Sequence, residues 1–192
     1  MEAVIIEQTK QKARDYLRSR GTEVAASVVH ERVAAALKAY EEFVASVDAA
    51  TAARCIIPGE WTIQENVDHL VETYRPGVDE LRCLLAGERP PGHPIPADLR
   101  SKAPRLRPWG WLLDELRRLH ADALGLLASV PGDFATMARA PLVMVVNVPL
   151  PSGGSEPVHW VEELDWKAYA IVSWRLHAID HLNQAKKVLA AR

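Results

Sequence analysis

The sequence predicts an all-α protein whose main body is a four-helix bundle, and two observations lead to this fold class. Alanine, the residue with the highest helix propensity, occurs 28 times in the 192 residues. Prolines, which interrupt helices, are concentrated in two stretches: six lie between Pro90 and Pro108 and five between Pro131 and Pro157. These stretches are therefore predicted to be connections. The segments outside them repeat apolar residues at helical spacing.

The segment before residue 48 divides into two helices. Residues 3–19 are rich in charge and predict an extra N-terminal helix that ends before Gly21. Thr22 is placed to begin the first bundle helix, and apolar residues from Val24 to Val47 form one stripe along that helix. We therefore divide the chain into an N-terminal helix at residues 1–22 and a bundle domain at residues 23–192.

Three further helices complete the predicted bundle. Thr62 and Glu65 form the pattern of a capping box at the start of the second bundle helix, which Pro76 is expected to kink. The third helix is predicted at residues 111–130. The fourth, at about residues 164–191, contains neither proline nor glycine, so nothing in its sequence interrupts it.

A short β-hairpin is predicted between the third and fourth helices. Residues 142–148 are rich in valine, and residues 158–161 read as a second strand. Residues 151–154, with the sequence PSGG, supply a turn between them. We expect this hairpin to cover one end of the bundle.

The charge balance excludes some classes of partner. Lys and Arg total 23 against 25 Asp and Glu, a formal net charge of −2, whereas nucleic-acid and acidic-membrane binders carry a basic excess. Two cysteines are too few for a disulfide scaffold, and no basic stretch precedes an apolar run at the start. We therefore expect a cytoplasmic protein that binds neither nucleic acid nor membrane.

Histidines supply the pattern that points to chemistry. His177 and His181 are four residues apart, so a helix places both imidazoles on one face, where they can bind one metal ion. Such a pair alone is more often at a surface or in a core. His69 in the second bundle helix is either solvated or a third ligand that faces a groove between the helices. Glu72, one turn further, is either a surface charge or a group that orients His69.

Two sequence motifs resemble the DinB/YfiT-like superfamily. Residues 58–70 read PGEWTIQENVDHL and residues 176–184 read LHAIDHLNQ. The resemblance spans about residues 23–192 and implies a bundle in up-down-down-up order. It also implies a divalent metal ion held by His69, His177 and His181, a homodimer, and kinship with thiol-dependent transferases and isomerases. The extra N-terminal helix and the two long connections depart from the family pattern.

A site with three histidine ligands predicts an enzyme, because it leaves at least one coordination position open. Imidazole suits zinc, nickel, iron or copper, and the sequence does not choose among them. The leading hypothesis is transfer of a low-molecular-weight thiol cosubstrate to a small molecule. One alternative is hydrolysis by metal-activated water, with Glu72 as the base. The other is a non-catalytic metal-binding protein.

Overall fold

The computed structural model describes residues 2–55, 57–149 and 153–191, and helices make up most of them. Residues 166–190 form one continuous helix, hereafter the C-terminal helix, in which a π-helical segment joins two α-helices. The predicted helical class is confirmed. The elements are α1 (Glu2–Leu17), a π segment (Arg18–Thr22), α2 (Ala26–Ala45), α3 (Ala49–Ala53), α4 (Ile63–Leu85), a 3₁₀ turn (Pro104–Leu106), α5 (Trp109–Ala128), β1 (Ala140–Pro149), β2 (Ser155–Leu164), α6 (Trp166–Ala170), a second π segment (Ile171–Leu176) and α7 (His177–Ala190).

Ion pairs fix the relative direction of α4 and α5. Glu65, near the start of α4, pairs with Arg105, just before α5, at 3.0 Å. Ten residues further along each segment, Arg75 pairs with Glu115 at 3.1 Å. The second pair lies ten residues later than the first in both segments, so α4 and α5 run parallel. The long connection at residues 86–108 makes this possible, since it returns the chain to the end at which α4 begins.

The remaining two bundle helices run opposite to this pair. Val47, just after α2, accepts a hydrogen bond from Trp109 at the start of α5, whereas Glu41 in α2 contacts His120 further along α5. Contacts between α4 and the C-terminal helix likewise run in opposite directions, as the site below shows. The order is therefore up-down-down-up, as the resemblance implies.

The apolar stripes of the four bundle helices meet in one core. Val33 of α2, Leu70 of α4, Leu116 of α5 and Trp174 of the C-terminal helix are all fully buried. Burying each such side chain stabilises the fold by about 1.5–3 kcal/mol. This core holds α4 and the C-terminal helix in fixed register, which positions the side chains between them.

The extra N-terminal helix packs onto the bundle through three kinds of contact. Leu17 is buried in the main core, and the Arg14 guanidinium donates to Glu162 of β2 at 2.9 Å. A Cβ at Gly21 would lie 3.0 Å from the Ala168 backbone, so only glycine allows this close approach to α6. The division of the chain at residues 22 and 23 stays a prediction.

The predicted hairpin is present and precedes the C-terminal helix. β1 and β2 are antiparallel, with Val143 opposite Val161. Leu142, Met144 and Val148 are buried beneath the inner face, which attaches the hairpin to the bundle. The strands extend beyond the predicted ones at both ends, and residues 151 and 152 of the predicted turn lie outside the described residues.

The capping box at Thr62 and Glu65 is present as predicted, and α4 is continuous through Pro76. Other details differ from the sequence prediction. The third bundle helix begins and ends two residues earlier than predicted, because the chain already turns helical after Pro108. The short helix α3 and the 3₁₀ turn were not predicted. No helix in the described residues has the length and apolar character needed to cross a membrane.

Candidate metal centre

His69 lies on the inner face of α4. Thr62 accepts from the Glu65 backbone N–H and the Glu65 carboxylate accepts from the Thr62 N–H, so the start of this helix is fixed two turns before His69. His69 is only 1% exposed although it lies off the main apolar stripe. The connection at residues 86–108 and the C-terminal helix cover it, so the solvated alternative is excluded.

The π segment positions the second histidine. The His177 backbone N–H donates to the Val172 carbonyl, five residues earlier, instead of to Ser173 as in an α-helix. Burial lowers the pKa of His177, and the neighbouring Ser173 backbone partly offsets that lowering. The His177 ring directs its Nε2 toward α4, where it lies 2.9 Å from His69 Nε2.

The third histidine completes a compact cluster. His177 and His181 are one turn apart, with ring centroids 4.7 Å apart, and the His69 ring lies 4.9 Å and 4.6 Å from theirs. One ligand nitrogen from each ring lies within 4.8 Å of the other two. The spacing predicted from sequence therefore brings all three imidazoles together from two helices.

A scan of family models matches the DinB superfamily over residues 32–164. The match covers more than half of the chain. The chain belongs to the DinB superfamily. The matched segment contains Trp61 and His69 but ends before His177 and His181, so the completed cluster comes from the geometry of the fold. No curated protein and no solved structure matches the chain.

A hydrogen bond sets the tautomer of His69 in this DinB-superfamily chain. His69 Nδ1 lies 2.7 Å from the Leu99 carbonyl, which only accepts, so Nδ1 carries the proton. The His69 Nε2 atom therefore has a lone pair, and it faces His177 Nε2 at 2.9 Å. In the neutral tautomer of His177 with the proton on Nδ1, both Nε2 atoms are free to bind one cation, so this donor arrangement fits a metal ion.

His181 is held by an amide that the sequence reasoning did not single out. Asn66 lies on α4, and its Nδ2 is 3.0 Å from His181 Nδ1 and 3.2 Å from Gln184 Oε1. The Tyr40 hydroxyl donates to Asn66 Oδ1 at 2.6 Å. Ligation through His181 Nε2 requires a proton on Nδ1 and therefore the amide oxygen opposite it. A half-turn of the Asn66 amide supplies this when the Gln184 amide turns with it, since the Tyr40 oxygen can also accept and Gln184 then donates to Asn66 Oδ1.

Burial keeps the three imidazoles neutral. Desolvation lowers the pKa of His181 to about 3 and the pKa of His177 well below its usual value, and the neighbouring imidazoles lower both further. Desolvation also lowers the pKa of His69. Each ring is therefore unprotonated near pH 7 and retains a lone pair for a metal ion. Ligand nitrogens need this state.

Glu72 does not join the histidine cluster. Its carboxylate accepts from Arg107 at 2.6 Å and from Arg75 at 2.9 Å. The acceptor that orients His69 is the Leu99 carbonyl, so of the two alternatives left open for Glu72 the orienting group is not the one found. The connection at residues 86–108 supplies that carbonyl, and no helical spacing pointed to it. A catalytic role of Glu72 stays a prediction.

A cavity of about 690 Å³ adjoins the cluster, within the size range of small-molecule sites. Trp61 forms one side of its mouth and stacks parallel to His181 at 6.0 Å. All three histidines line this cavity, whereas neither Cys55 nor Cys83 is part of its described wall. The arrangement can therefore present a metal ion to a small molecule, and no described protein thiol reaches that position.

Proposed function

We propose that this DinB-superfamily chain is a metal-dependent enzyme in which His69, His177 and His181 hold one divalent ion, zinc, nickel or iron. The observation that carries the proposal is the convergence of three imidazoles from two helices, whose ligand nitrogens lie within 4.8 Å of one another. A set of three neutral ligands with an adjoining cavity is typical of catalytic sites, because structural sites are closed by a fourth protein ligand.

The proposed reaction joins a whole low-molecular-weight thiol, through its sulfur, to an electrophilic carbon of a small-molecule substrate. The S–H bond breaks, a C–S bond forms, and the proton passes to the group that is displaced or opened on that carbon. Bound in this site, the ion would supply a Lewis acid that lowers the pKa of a thiol. The chain itself contributes the binding surface: Trp61 and the apolar walls exclude water, which disfavours hydroxide as the competing nucleophile. A cytoplasmic setting fits this proposal, since thiols stay reduced there.

One observation disfavours hydrolysis, and a second indicates that a sulfur nucleophile would be external. The carboxylate of Glu72, the base that hydrolysis would use, is engaged by two guanidinium groups. The described walls of the cavity offer no cysteine, so a sulfur nucleophile has to enter with a cosubstrate. Hydrolysis and a non-catalytic metal protein are the alternatives that the following experiment distinguishes.

Metal analysis and activity assays of matched variants test the proposal. His177→Ala removes a ligand, and His159→Ala removes an exposed histidine outside the cavity. We expect near-stoichiometric metal in the native protein and the His159 variant, and a loss of about tenfold or more in affinity for His177→Ala. Thiol-dependent turnover of an electrophile should disappear with the metal.

Three outcomes would contradict parts of this account. Turnover of esters or amides without any thiol would identify a hydrolase instead. Stoichiometric metal without turnover on a panel of electrophiles and thiols would support the non-catalytic alternative. Equal metal content in the His177 and His159 variants would show that His177 is not a metal ligand and would contradict the proposed metal site.

A further inference from the structure

The cavity beside the histidines is enclosed by parts of the chain that lie outside the bundle. Its walls include Ala13, Tyr16 and Leu17 of α1, residues 142–146 of β1, and residues 95–97 of the long connection. The C-terminal helix forms the floor from Tyr169 to Val188. The extra N-terminal helix is therefore part of the cavity wall as well as an addition to the fold.

The distribution of charge over these walls is uneven. No arginine or lysine lines the described part of the cavity. The charged side chains of the lining are Glu60, whose carboxylate pairs with Lys187 at 2.7 Å, and Asp180, whose carboxylate accepts from Gln184. An anionic group away from the histidines would therefore lose its hydration without gaining a cation.

The cations close to the cavity contact side chains of its wall or of α4, and the charge of Arg100 acts at the histidine end, where it adds to the desolvation that lowers the pKa of His69. The Arg100 guanidinium lies over the Trp61 ring, 4.6 Å from its centroid, and Arg175 donates to the Tyr16 hydroxyl at 2.7 Å. Neither residue belongs to the described wall. In the long connection, Arg105 and Arg107 pair with carboxylates of α4.

The rest of the lining is mainly apolar, with a few uncharged polar groups at its inner end. The Tyr169 hydroxyl donates to Glu80 at 2.6 Å, and the buried Ser173 hydroxyl has no partner among the described residues. Gly77 of α4 is also part of the lining. Without a side chain at this position, the surface of α4 leaves room above Trp174 and Tyr169.

We propose that this cavity binds a neutral, predominantly apolar small molecule, whose reacting end lies at the three histidines and whose body lies between α1, β1 and the C-terminal helix. The inference deepens the proposed function and rests on it for the reacting end. The preference for a neutral body follows from the walls alone.

Two fluorescent probes that share one aromatic frame test the preference. N-phenylnaphthylamine is neutral, and anilinonaphthalene sulfonate adds one anionic group. Both are titrated into protein stripped of metal with EDTA, so that no bound ion neutralises the sulfonate. We expect saturable one-to-one binding of the neutral probe and affinity for the sulfonate lower by about tenfold or more. Equal or tighter binding of the sulfonate would overturn the proposal.

A matched pair of substitutions locates the binding. Val172→Phe places a larger side chain in the cavity, and Val161→Phe makes the same change on the exposed face of β2. We expect Val172→Phe to weaken binding of the neutral probe by about tenfold and Val161→Phe to leave it unchanged. Ala97→Phe, on the opposite wall in a connection, provides the same test if Val172→Phe does not fold. Unchanged binding in a folded lining variant would contradict the proposal.

These measurements separate this inference from the proposed function. The purified protein could contain no metal and show no thiol-dependent turnover, while the neutral probe binds and Val172→Phe blocks that binding. The assignment of the cavity would then be supported, and the proposal of a metal-dependent enzyme would be wrong. If metal and turnover are found while the probe does not bind, the metal site stands and the assignment of a neutral apolar ligand is wrong.

Discussion

At the scale of single residues, the candidate centre depends on three imidazoles that burial keeps unprotonated. Their pKa values are lowered mainly because the bundle excludes water, and the His69 imidazole also lowers the pKa values of both His177 and His181. The same property links this cluster to stability: in the unfolded chain these rings regain an ordinary pKa near 6.5 and bind protons that the folded protein rejects.

Metal-stripped protein should therefore lose stability in mild acid. Above pH 6.5 neither state protonates these rings, so their contribution is constant. Below it the unfolded chain binds more protons, and the free energy of unfolding falls until the pH reaches the folded pKa, which is about 3 for His181. Between pH 6.5 and 5.5 we expect a loss of roughly 1 kcal/mol each from His177 and His181, measured by urea unfolding.

The double variant His177→Gln with His181→Gln serves as the comparison. It should show a flatter dependence on pH over this interval, whereas His159→Gln, at an exposed position, should behave as the native protein does. A native curve as flat as that of the double variant would mean that these imidazoles are solvated.

Sequence reasoning found the ligand residues but not the groups that orient them. The four-residue spacing of His177 and His181 is local, so a helix alone places them together. The Leu99 carbonyl and the Asn66 amide act across elements whose approach depends on the folded core, and a backbone carbonyl has no signature in sequence. For the same reason, the sequence could not decide whether Glu72 orients His69.

At the scale of elements, polar capping residues gave the clearest indication of where a helix begins. The capping box at Thr62 lies two turns before His69 and fixes where α4 begins. The prolines predicted both long connections. The π segment Ile171–Leu176 was not predicted, because the extra residue in its turn depends on tertiary packing, in which Ile171 and Trp174 are fully buried.

Removing the cap tests how far α4 depends on its first turn. Thr62→Ala leaves the Glu65 N–H without its acceptor, and we expect a loss of about 1 kcal/mol in the free energy of unfolding. Thr62→Ser keeps the hydroxyl and should retain most of that stability. Urea unfolding of both variants measures the difference. Equal loss in both would show that the threonine methyl group, rather than the cap, carries the effect.

At the scale of the whole molecule, the parallel arrangement of α4 and α5 explains why the connection at residues 86–108 is long. Its return across the bundle carries Leu99 over His69 and residues 95–97 into the cavity wall. The hairpin and α1 close the other sides. The fold class followed from composition and proline placement, whereas the enclosure depends on long-range packing that no local pattern encodes. The homodimer implied by the family resemblance stays a prediction.

Anomalous diffraction from crystals of metal-loaded protein, recorded at the absorption edge of the bound metal, tests the central claim most directly. The account predicts one strong peak between α4 and the C-terminal helix, about 2.0–2.2 Å from the Nε2 atoms of His69, His177 and His181. A peak elsewhere, or metal-loaded crystals in which the three imidazoles point to different partners, would contradict it.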